Sequence, residues 1–136
     1  MYKNVLIISD NLYLCNRFLE IIERKKIPNC LFTFSISPFS NKEDFKILDA
    51  DIKVFDLKDQ KHIDVIKNNY DLIFSIHCKQ IFPFDLINHL KCLNVHPGFN
   101  PINKISSLVR INGIRVDFCI YSGAIWVVEN LFMPVN

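Results

Sequence analysis

Short runs of apolar residues alternate along this chain with stretches in which apolar side chains recur at helical spacing. Residues 4–9 (NVLIIS) and 72–76 (LIFSI) are almost entirely apolar, a pattern typical of parallel strands buried on both faces. The predicted strands cover residues 4–9, 30–36, 52–55, 72–76 and 92–95. The predicted helices cover residues 11–26, 62–69 and 83–90, with apolar positions three and four residues apart. The pattern therefore predicts strands and helices in alternation.

Local signals predict where the helices begin and which faces they bury. Ser9, Asp10 and Asn11 are all candidate N-caps of the first long helix. Pro83 suits the first turn of the third helix, whose predicted apolar face is Phe84, Leu86, Ile87 and Leu90. His62 and His89 lie among polar neighbours on helices, and we expect both to face solvent.

Strands that alternate with helices favour an α/β, Rossmann-like fold with a mostly parallel sheet flanked by helices. In such folds ligands bind at the carboxyl ends of the strands. Three polar segments follow predicted strands, at residues 9–11, 77–80 and 94–100. The chain has three glycines, no G-x-G-x-x-G sequence and no P-loop, which disfavours a nicotinamide or ATP enzyme.

Composition narrows the class of protein. The chain has 136 residues, of which 50% are hydrophobic and 22% charged, as expected of one compact domain. Its formal net charge of +2 is too small to indicate binding to nucleic acid or to an anionic membrane surface. The apolar stretch at residues 118–128 is too short for a membrane span, and the run at residues 5–8 is too short for a signal peptide. We therefore expect a cytoplasmic protein.

The cysteines and histidines do not indicate a metal site or a disulfide framework. The five cysteines are widely scattered and form no C-x-x-C pair, so reduced, mostly buried thiols are expected. No set of residues has the spacing of zinc or iron ligands.

The segment 93–98 (LNVHPG) contains the strongest candidates for catalytic side chains. Because side chains alternate along a strand, Asn94 and His96 are expected on the same face at the strand end. An asparagine amide can polarise a carbonyl oxygen, and a histidine can accept or donate a proton near neutral pH. A histidine at a strand end is ordinary by itself, but the rigid Pro97-Gly98 turn that follows is suited to orienting a site. The pair predicts acyl transfer to an amine.

Residues 71–101, DLIFSIHCKQIFPFDLINHLKCLNVHPGFNP, resemble the core of the formyltransferase family, and the sugar N-formyltransferases most closely. In that family a strand leads into a folate-holding loop, a helix follows, and a second strand ends in Asn-x-His-Pro. The opening VLIISDNLYL is similar to the first strand and the nucleotide-sugar loop of these enzymes. The resemblance covers residues 1 to about 101.

The resemblance implies transfer of a formyl group from 10-formyltetrahydrofolate to the amine of a dTDP-linked 4-amino-4,6-dideoxy sugar. Asn94 would hold the formyl oxygen, and His96 would serve as base or as electrostatic partner of the amine. The implied folate-contacting residues are His77, Lys79, Gln80, Ile81, Phe82 and Pro83, and the implied sugar-contacting residues are Ser9, Asp10 and Asn11. A nucleotide-linked amino sugar is the implied partner, and family members often form homodimers.

The residues of these loops also have simpler interpretations. Lys79 has the character of a solvated surface charge, and its loop could hold folate through backbone groups. Asp10 is equally explained as a helix N-cap. His77 at a strand end is better explained as a structural histidine with its hydrogen bonds satisfied than as a site residue.

The chain departs from the family after residue 101. The family has a catalytic Asp three to four dozen residues beyond the Asn-x-His pair, whereas the acids that follow His96 here are Asp117 and Glu129, in a different context. Residues 97–136 carry five charged side chains, and family members are about twice as long. We therefore expect a formyltransferase-like domain at residues 1–101, a divergent tail at 102–136, and impaired activity. A frameshifted or prematurely terminated product is one explanation.

Three alternatives stay open at this point. The first is a non-catalytic remnant that binds folate or a nucleotide sugar at most, which the missing Asp favours. The second is a purine-pathway or methionyl-tRNA formyltransferase, which fits the Asn-x-His-Pro-Gly segment less well. The third is a receiver-like signalling domain, for which Asp10 and Asp56 are the available acids.

Overall fold

The computed structural model describes residues 2–27, 29–48, 51–95, 110–111 and 114–115. Its centre is a five-stranded parallel sheet in the order β3-β2-β1-β4-β5. The strands are β1 (Asn4–Ile8), β2 (Leu31–Ile36), β3 (Ile52–Val54), β4 (Leu72–Ile76) and β5 (Lys91–Val95). Two further short strands, β6 (Arg110–Ile111) and β7 (Ile114–Arg115), form an antiparallel pair, and β6 lies near β5. The predicted α/β fold is confirmed.

Helices connect the strands of the sheet. They are α1 (Leu12–Lys25), α2 (Gln60–Asn69) and α3 (Phe84–His89), and a 3-10 helix (Lys42–Leu48) precedes β3. The 3-10 helix was not predicted, because its sequence lacks a helical apolar stripe long enough to register. Asn11 is the N-cap of α1, and its side-chain oxygen accepts a hydrogen bond from the Leu14 amide at 3.0 Å. Of the three candidate N-caps, Asn11 is therefore confirmed, and the assignments of Ser9 and Asp10 as N-caps are wrong.

The hydrophobic core lies on both faces of the sheet. The central strand β1 is the most protected, since Val5, Leu6 and Ile7 are fully buried. On one side α1 contributes Phe18, whose ring lies 5.5 Å from that of Phe74 on β4. Burial on both faces explains why β1 and β4 read as continuous apolar runs rather than alternating ones.

Two expectations about helix faces are corrected. Of the predicted apolar face of α3, Leu86 is fully buried, whereas Phe84 is 83% exposed and Ile87 is 46% exposed. A six-residue helix makes fewer than two turns, so it turns only a narrow face towards the sheet. His62 does not simply face solvent, because its Nδ1 accepts a hydrogen bond from the Asp56 amide at 2.8 Å. His89 is exposed, as predicted.

The strand order also discriminates between α/β families. Receiver domains have the order 2-1-3-4-5, in which the first strand pairs with the third. Here β1 pairs with β2 and β4, which is the arrangement of the Rossmann fold. The receiver-like alternative is therefore disfavoured by topology as well as by the position of its acids.

The four described cysteines are free thiols. Cys15 and Cys92 are buried, and burial raises the pKa of each to about 12. Cys30 and Cys78 are half-buried, so the expectation of mostly buried thiols holds for two of the four. Cys119 lies outside the described residues. In the described part of the chain, no helix has the length and apolarity that crossing a membrane requires.

Candidate functional site at the carboxyl edge of the sheet

Three loops meet where the central strands end. We name them the β1 loop (residues 9–11), the β2 loop (residues 37–41) and the β4 loop (residues 77–83). The Ser9 amide donates a hydrogen bond to the Ser35 carbonyl at 3.0 Å, and the Asp10 amide donates one to the His77 carbonyl at 3.3 Å. The predicted clustering of the first two polar segments at one edge is thus confirmed.

The Asp10 carboxylate joins all three loops. Its Oδ1 accepts hydrogen bonds from the Ser37 amide at 3.0 Å, from the Ser37 hydroxyl, and from the Ser40 hydroxyl at 2.6 Å. Its Oδ2 accepts from the Lys79 amide at 2.7 Å. Partial burial of Asp10 opposes ionisation, but the hydrogen bonds outweigh it and lower the pKa of the carboxyl group. Asp10 is therefore ionised at neutral pH, and both of its carboxylate oxygens accept hydrogen bonds from the protein.

The other two residues of the β1 loop also bond to the protein. Ser9 is fully buried, and its hydroxyl donates to the Asn11 carbonyl and accepts from the Asn11 amide, both at 3.2 Å. Asn11 uses its side-chain oxygen to cap α1. The predicted contact of these residues with a nucleotide sugar stays a prediction, and it now concerns a loop whose polar side chains already have partners.

In the β4 loop some side chains are exposed to solvent, and others form hydrogen bonds within the protein. His77 is exposed and has φ of 52°, in the left-handed region, which is unusual for a residue with a Cβ. The Lys79 side chain is exposed, while its backbone amide is held by Asp10. Gln80 turns inward: its Oε1 accepts from the Leu57 amide and its Nε2 donates to the Phe55 carbonyl, both at 2.8 Å. His77 is thus exposed, and its predicted contact with the folate stays a prediction.

The second half of the β4 loop leads into α3. Ile81 is 59% exposed, and Phe82 is buried in the core. Pro83 is the N-cap of α3 and is half-buried. Of the predicted folate-contacting side chains in this loop, those of His77, Lys79 and Ile81 are exposed to solvent.

Asn94 lies at the same edge of the sheet, one strand further on. It is in β5, in register with Ser75 of β4, and it is 8% exposed. The β4 loop begins two residues after Ser75. Asn94 therefore lies near the carboxyl end of β5, beside the point where β4 ends and its loop begins. His96 lies outside the described residues, and its predicted pairing with Asn94 stays a prediction.

A groove of about 610 Å³ opens between the β1, β2 and β4 loops. Asp10 and Lys79 line it, together with Phe39, Ser40 and Asn41 of the β2 loop. Phe39 is 66% exposed. Sequence reasoning missed the β2 loop, although Pro38 and the polar residues after a predicted strand were a signal that this segment also leaves the carboxyl edge. Within the described residues, no three His, Cys, Asp or Glu side chains are grouped as metal ligands would be.

Comparisons with known proteins place this edge in context. No protein-family model matches the chain. A segment of 39 residues is 59% identical to the dTDP-4-amino-4,6-dideoxyglucose formyltransferases of Mycobacterium bovis and Mycobacterium tuberculosis. This segment is 29% of the chain and spans only 17% of the length of each relative.

Two solved structures share the fold. A sugar N-formyltransferase from a Shewanella species has a TM-score of 0.69 and 24% identity, over 94% of this chain and 68% of its own. A 4-N formyltransferase from Francisella tularensis has a TM-score of 0.62 and 35% identity, over 73% of this chain and 40% of its own. In sequence and in fold, this chain resembles the N-terminal part of sugar N-formyltransferases.

Proposed function

We propose that this chain carries the formyl-transfer half of a sugar N-formyltransferase, which moves a formyl group from 10-formyltetrahydrofolate to the amine of a dTDP-linked 4-amino-4,6-dideoxy sugar. The observation that carries the proposal is the 59% identity of a 39-residue segment to dTDP-4-amino-4,6-dideoxyglucose formyltransferases. The position of Asn94 at the carboxyl edge supports it. Residues 1–101 are the part to which we assign this role, and residues 102–136 are a divergent tail.

The roles of the transferring residues follow from their chemistry. Asn94 donates its amide N–H to the formyl oxygen as negative charge develops there. His96 takes the proton that the sugar amine loses on bonding to the formyl carbon, and returns it to N10 as the bond between carbon and N10 breaks. The products are a formamide and tetrahydrofolate. The formyl donor supplies an activated one-carbon group, and the protein supplies position and charge.

The β4 loop suits a reduced folate. Folate combines a flat ring system with carboxylates, and the loop exposes an apolar side chain, Ile81, and a cation, Lys79. His77 is exposed at the start of the same loop. Gln80, Phe82 and Pro83 support the loop from within, so we assign them an indirect part in donor binding. The β1 loop, with Ser9, Asp10 and Asn11, borders the nucleotide-sugar site.

The test is an assay of formyl transfer with 10-formyltetrahydrofolate and dTDP-4-amino-4,6-dideoxyglucose, followed by release of tetrahydrofolate. Asn94→Ala and His96→Ala are each expected to lower kcat about 100-fold or more. His89→Ala is the matched control, because His89 is exposed on α3 and takes no part in the proposed site. Full turnover by His96→Ala would overturn its role.

The assay also separates catalysis from binding alone. The family's catalytic Asp has no counterpart in the expected context, and the acids after residue 101 are Asp117 and Glu129. If the wild-type chain is folded and binds the stable analogue 5-formyltetrahydrofolate without turnover, it is a binding module and not a transferase. If the folded chain does not bind the folate, the proposed function is wrong. Replacing dTDP by UDP in the sugar nucleotide, which removes the thymine methyl group and adds a 2′-hydroxyl, tests recognition of the nucleotide.

A further inference from the structure

We propose that Asp10 is a positioning residue: its carboxylate holds the β4 loop against the β2 loop, and so fixes the shape of the groove between them. This inference rests on the proposed function, because it assigns the β4 loop to the formyl donor. It differs from the expectation that Asp10 contacts the sugar, since it assigns the carboxylate a role within the protein, where it accepts four hydrogen bonds from Ser37, Ser40 and Lys79.

The geometry gives the two carboxylate oxygens different tasks. Oδ1 accepts three hydrogen bonds from the β2 loop, from Ser37 and Ser40. Oδ2 accepts one from the Lys79 amide in the β4 loop at 2.7 Å. Because one rigid carboxylate bonds both loops, neither can move away without breaking a charge-assisted hydrogen bond.

The bond to Lys79 bears directly on the orientation of the β4 loop. It fixes the backbone in the middle of the loop, between exposed His77 and exposed Ile81. Gln80 makes a second attachment, to the backbone of Phe55 and Leu57. Two adjacent residues of the loop are thus tied to different parts of the fold, Lys79 through its backbone amide and Gln80 through its side chain, which restrains the backbone that carries the exposed Lys79 side chain. A loop held in this way binds a ligand without having to be ordered first.

Replacement of Asp10 by Asn separates the two tasks. The Asn oxygen can still accept from Ser37 and Ser40, but its NH2 group cannot accept from the Lys79 amide. Asp10→Asn is therefore expected to release the β4 loop while it keeps the β2 contacts, whereas Asp10→Ala releases both. Asp64→Asn is the matched control: it is an exposed carboxylate on α2 that accepts a hydrogen bond from Gln60.

Amide hydrogen exchange measures directly whether the Lys79 amide is released from Asp10. In Asp10→Asn, exchange of the Lys79 amide is expected to accelerate about tenfold or more, while the amides of β1 and β4 stay protected. Asp64→Asn is expected to leave the exchange of the Lys79 amide unchanged. An unchanged Lys79 rate in folded Asp10→Asn would overturn the proposal, because the bond would then not hold the loop.

Binding links this release to function and uses 5-formyltetrahydrofolate and dTDP as probes. In Asp10→Asn the Kd for 5-formyltetrahydrofolate is expected to rise about tenfold, and where turnover is measured, KM for the donor rises while kcat changes less than about threefold. Ser40→Ala, which removes one β2 hydroxyl bond, is expected to change donor affinity much less. Equal loss of kcat and of donor affinity would indicate general damage and overturn the positioning role.

The outcomes distinguish this inference from the function on which it rests. A wild-type chain that does not bind 5-formyltetrahydrofolate overturns the proposed function and the positioning role together. Normal donor binding by Asp10→Asn, with a faster-exchanging Lys79 amide, overturns only the positioning role. Loss of affinity for dTDP in Asp10→Asn, with donor affinity intact, would return Asp10 to the sugar side and overturn the inference.

Discussion

The β1 loop and the β4 loop are both polar segments at the carboxyl edge of the sheet, yet they use their side chains in opposite ways. In the β1 loop Ser9, Asp10 and Asn11 all bond to protein groups. In the β4 loop the side chains of His77 and Lys79 are exposed. The contrast shows that the polar side chains of the first loop are used within the fold, whereas two of those in the second face solvent. A polar residue beside a candidate site is therefore not by that fact a ligand-binding residue.

The largest effect on stability is expected from Asp10→Ala. Removal of the carboxylate leaves the Ser37 and Lys79 amides without the acceptor they have now, which is expected to lower the free energy of unfolding by about 3 kcal/mol. Chemical denaturation at pH 7, compared with Asp64→Ala, measures the loss. An equal effect of the two substitutions would contradict the contrast between the β1 loop and an ordinary exposed carboxylate.

The Asp10→Asn substitution predicts a pH dependence of stability. The folded-state pKa of Asp10 is lowered from its ordinary value of 3.8, so its ionised form stabilises the fold. This contribution is complete above the ordinary pKa and is lost as pH falls through the lower folded pKa. The difference in unfolding free energy between wild type and Asp10→Asn is therefore expected to be largest near neutral pH and to decrease below about pH 4. A difference that grows on acidification would contradict this assignment.

Gln80 tests the contrast from within the β4 loop, because it is the member that behaves like the β1 loop. Gln80→Ala removes hydrogen bonds to the backbone of Phe55 and Leu57 and is expected to cost about 1–2 kcal/mol. Gln60→Ala is the control, since the Gln60 amide bonds exposed carboxylates on the surface. Thermal denaturation of the two variants side by side checks the difference. Equal melting temperatures would place Gln80 with the exposed residues of its loop.

A smaller effect is expected for the helix cap. Asn11→Ala removes the acceptor of the Leu14 amide and is expected to lower stability by about 1 kcal/mol, while Asn11→Asp retains the acceptor and most of the stability. The ellipticity of α1 and the denaturation midpoint measure both. Failure of the Asp variant to retain stability would show that the side chain does more than cap the helix.

What could be predicted from sequence follows from how local each determinant is. Strand β4 was predicted with its observed bounds, because five consecutive buried residues leave an unambiguous pattern. The hydrogen bonds of Asp10 could not be predicted, since their partners lie 27, 30 and 69 residues away along the chain. For the same reason the hydrogen bond of the Gln80 side chain to Leu57, which is 23 residues away, could not be predicted. The predicted contact of Gln80 with the folate stays a prediction.

At α3 the prediction from sequence was wrong about burial, because residues expected to be buried are exposed. Phe84 and Ile87 have the spacing of a buried face, but the six-residue helix leaves them exposed. Apolar periodicity predicts which side chains share a face, and the neighbouring layer decides whether that face is covered. At the candidate site the sequence identified Asn94 and the β4 loop by resemblance, whereas the groove beside Phe39 required the fold.

The smallest effect on stability, and a clear effect on binding, is expected for Lys79→Ala. The Lys79 side chain is exposed and its amide is retained in the variant, so the hydrogen bond to Asp10 survives and the free energy of unfolding changes by less than about 0.5 kcal/mol. Affinity for 5-formyltetrahydrofolate is expected to fall about threefold to tenfold, because a cation beside the groove is lost.

Calorimetric titration of Lys79→Ala at low and high salt measures both the loss of affinity and its electrostatic origin. Lys61→Ala, which removes an exposed lysine of α2, is the control. A stable Lys79→Ala variant with unchanged folate affinity would remove the main distinction between the two loops, since the β4 loop would then present its charge to solvent alone.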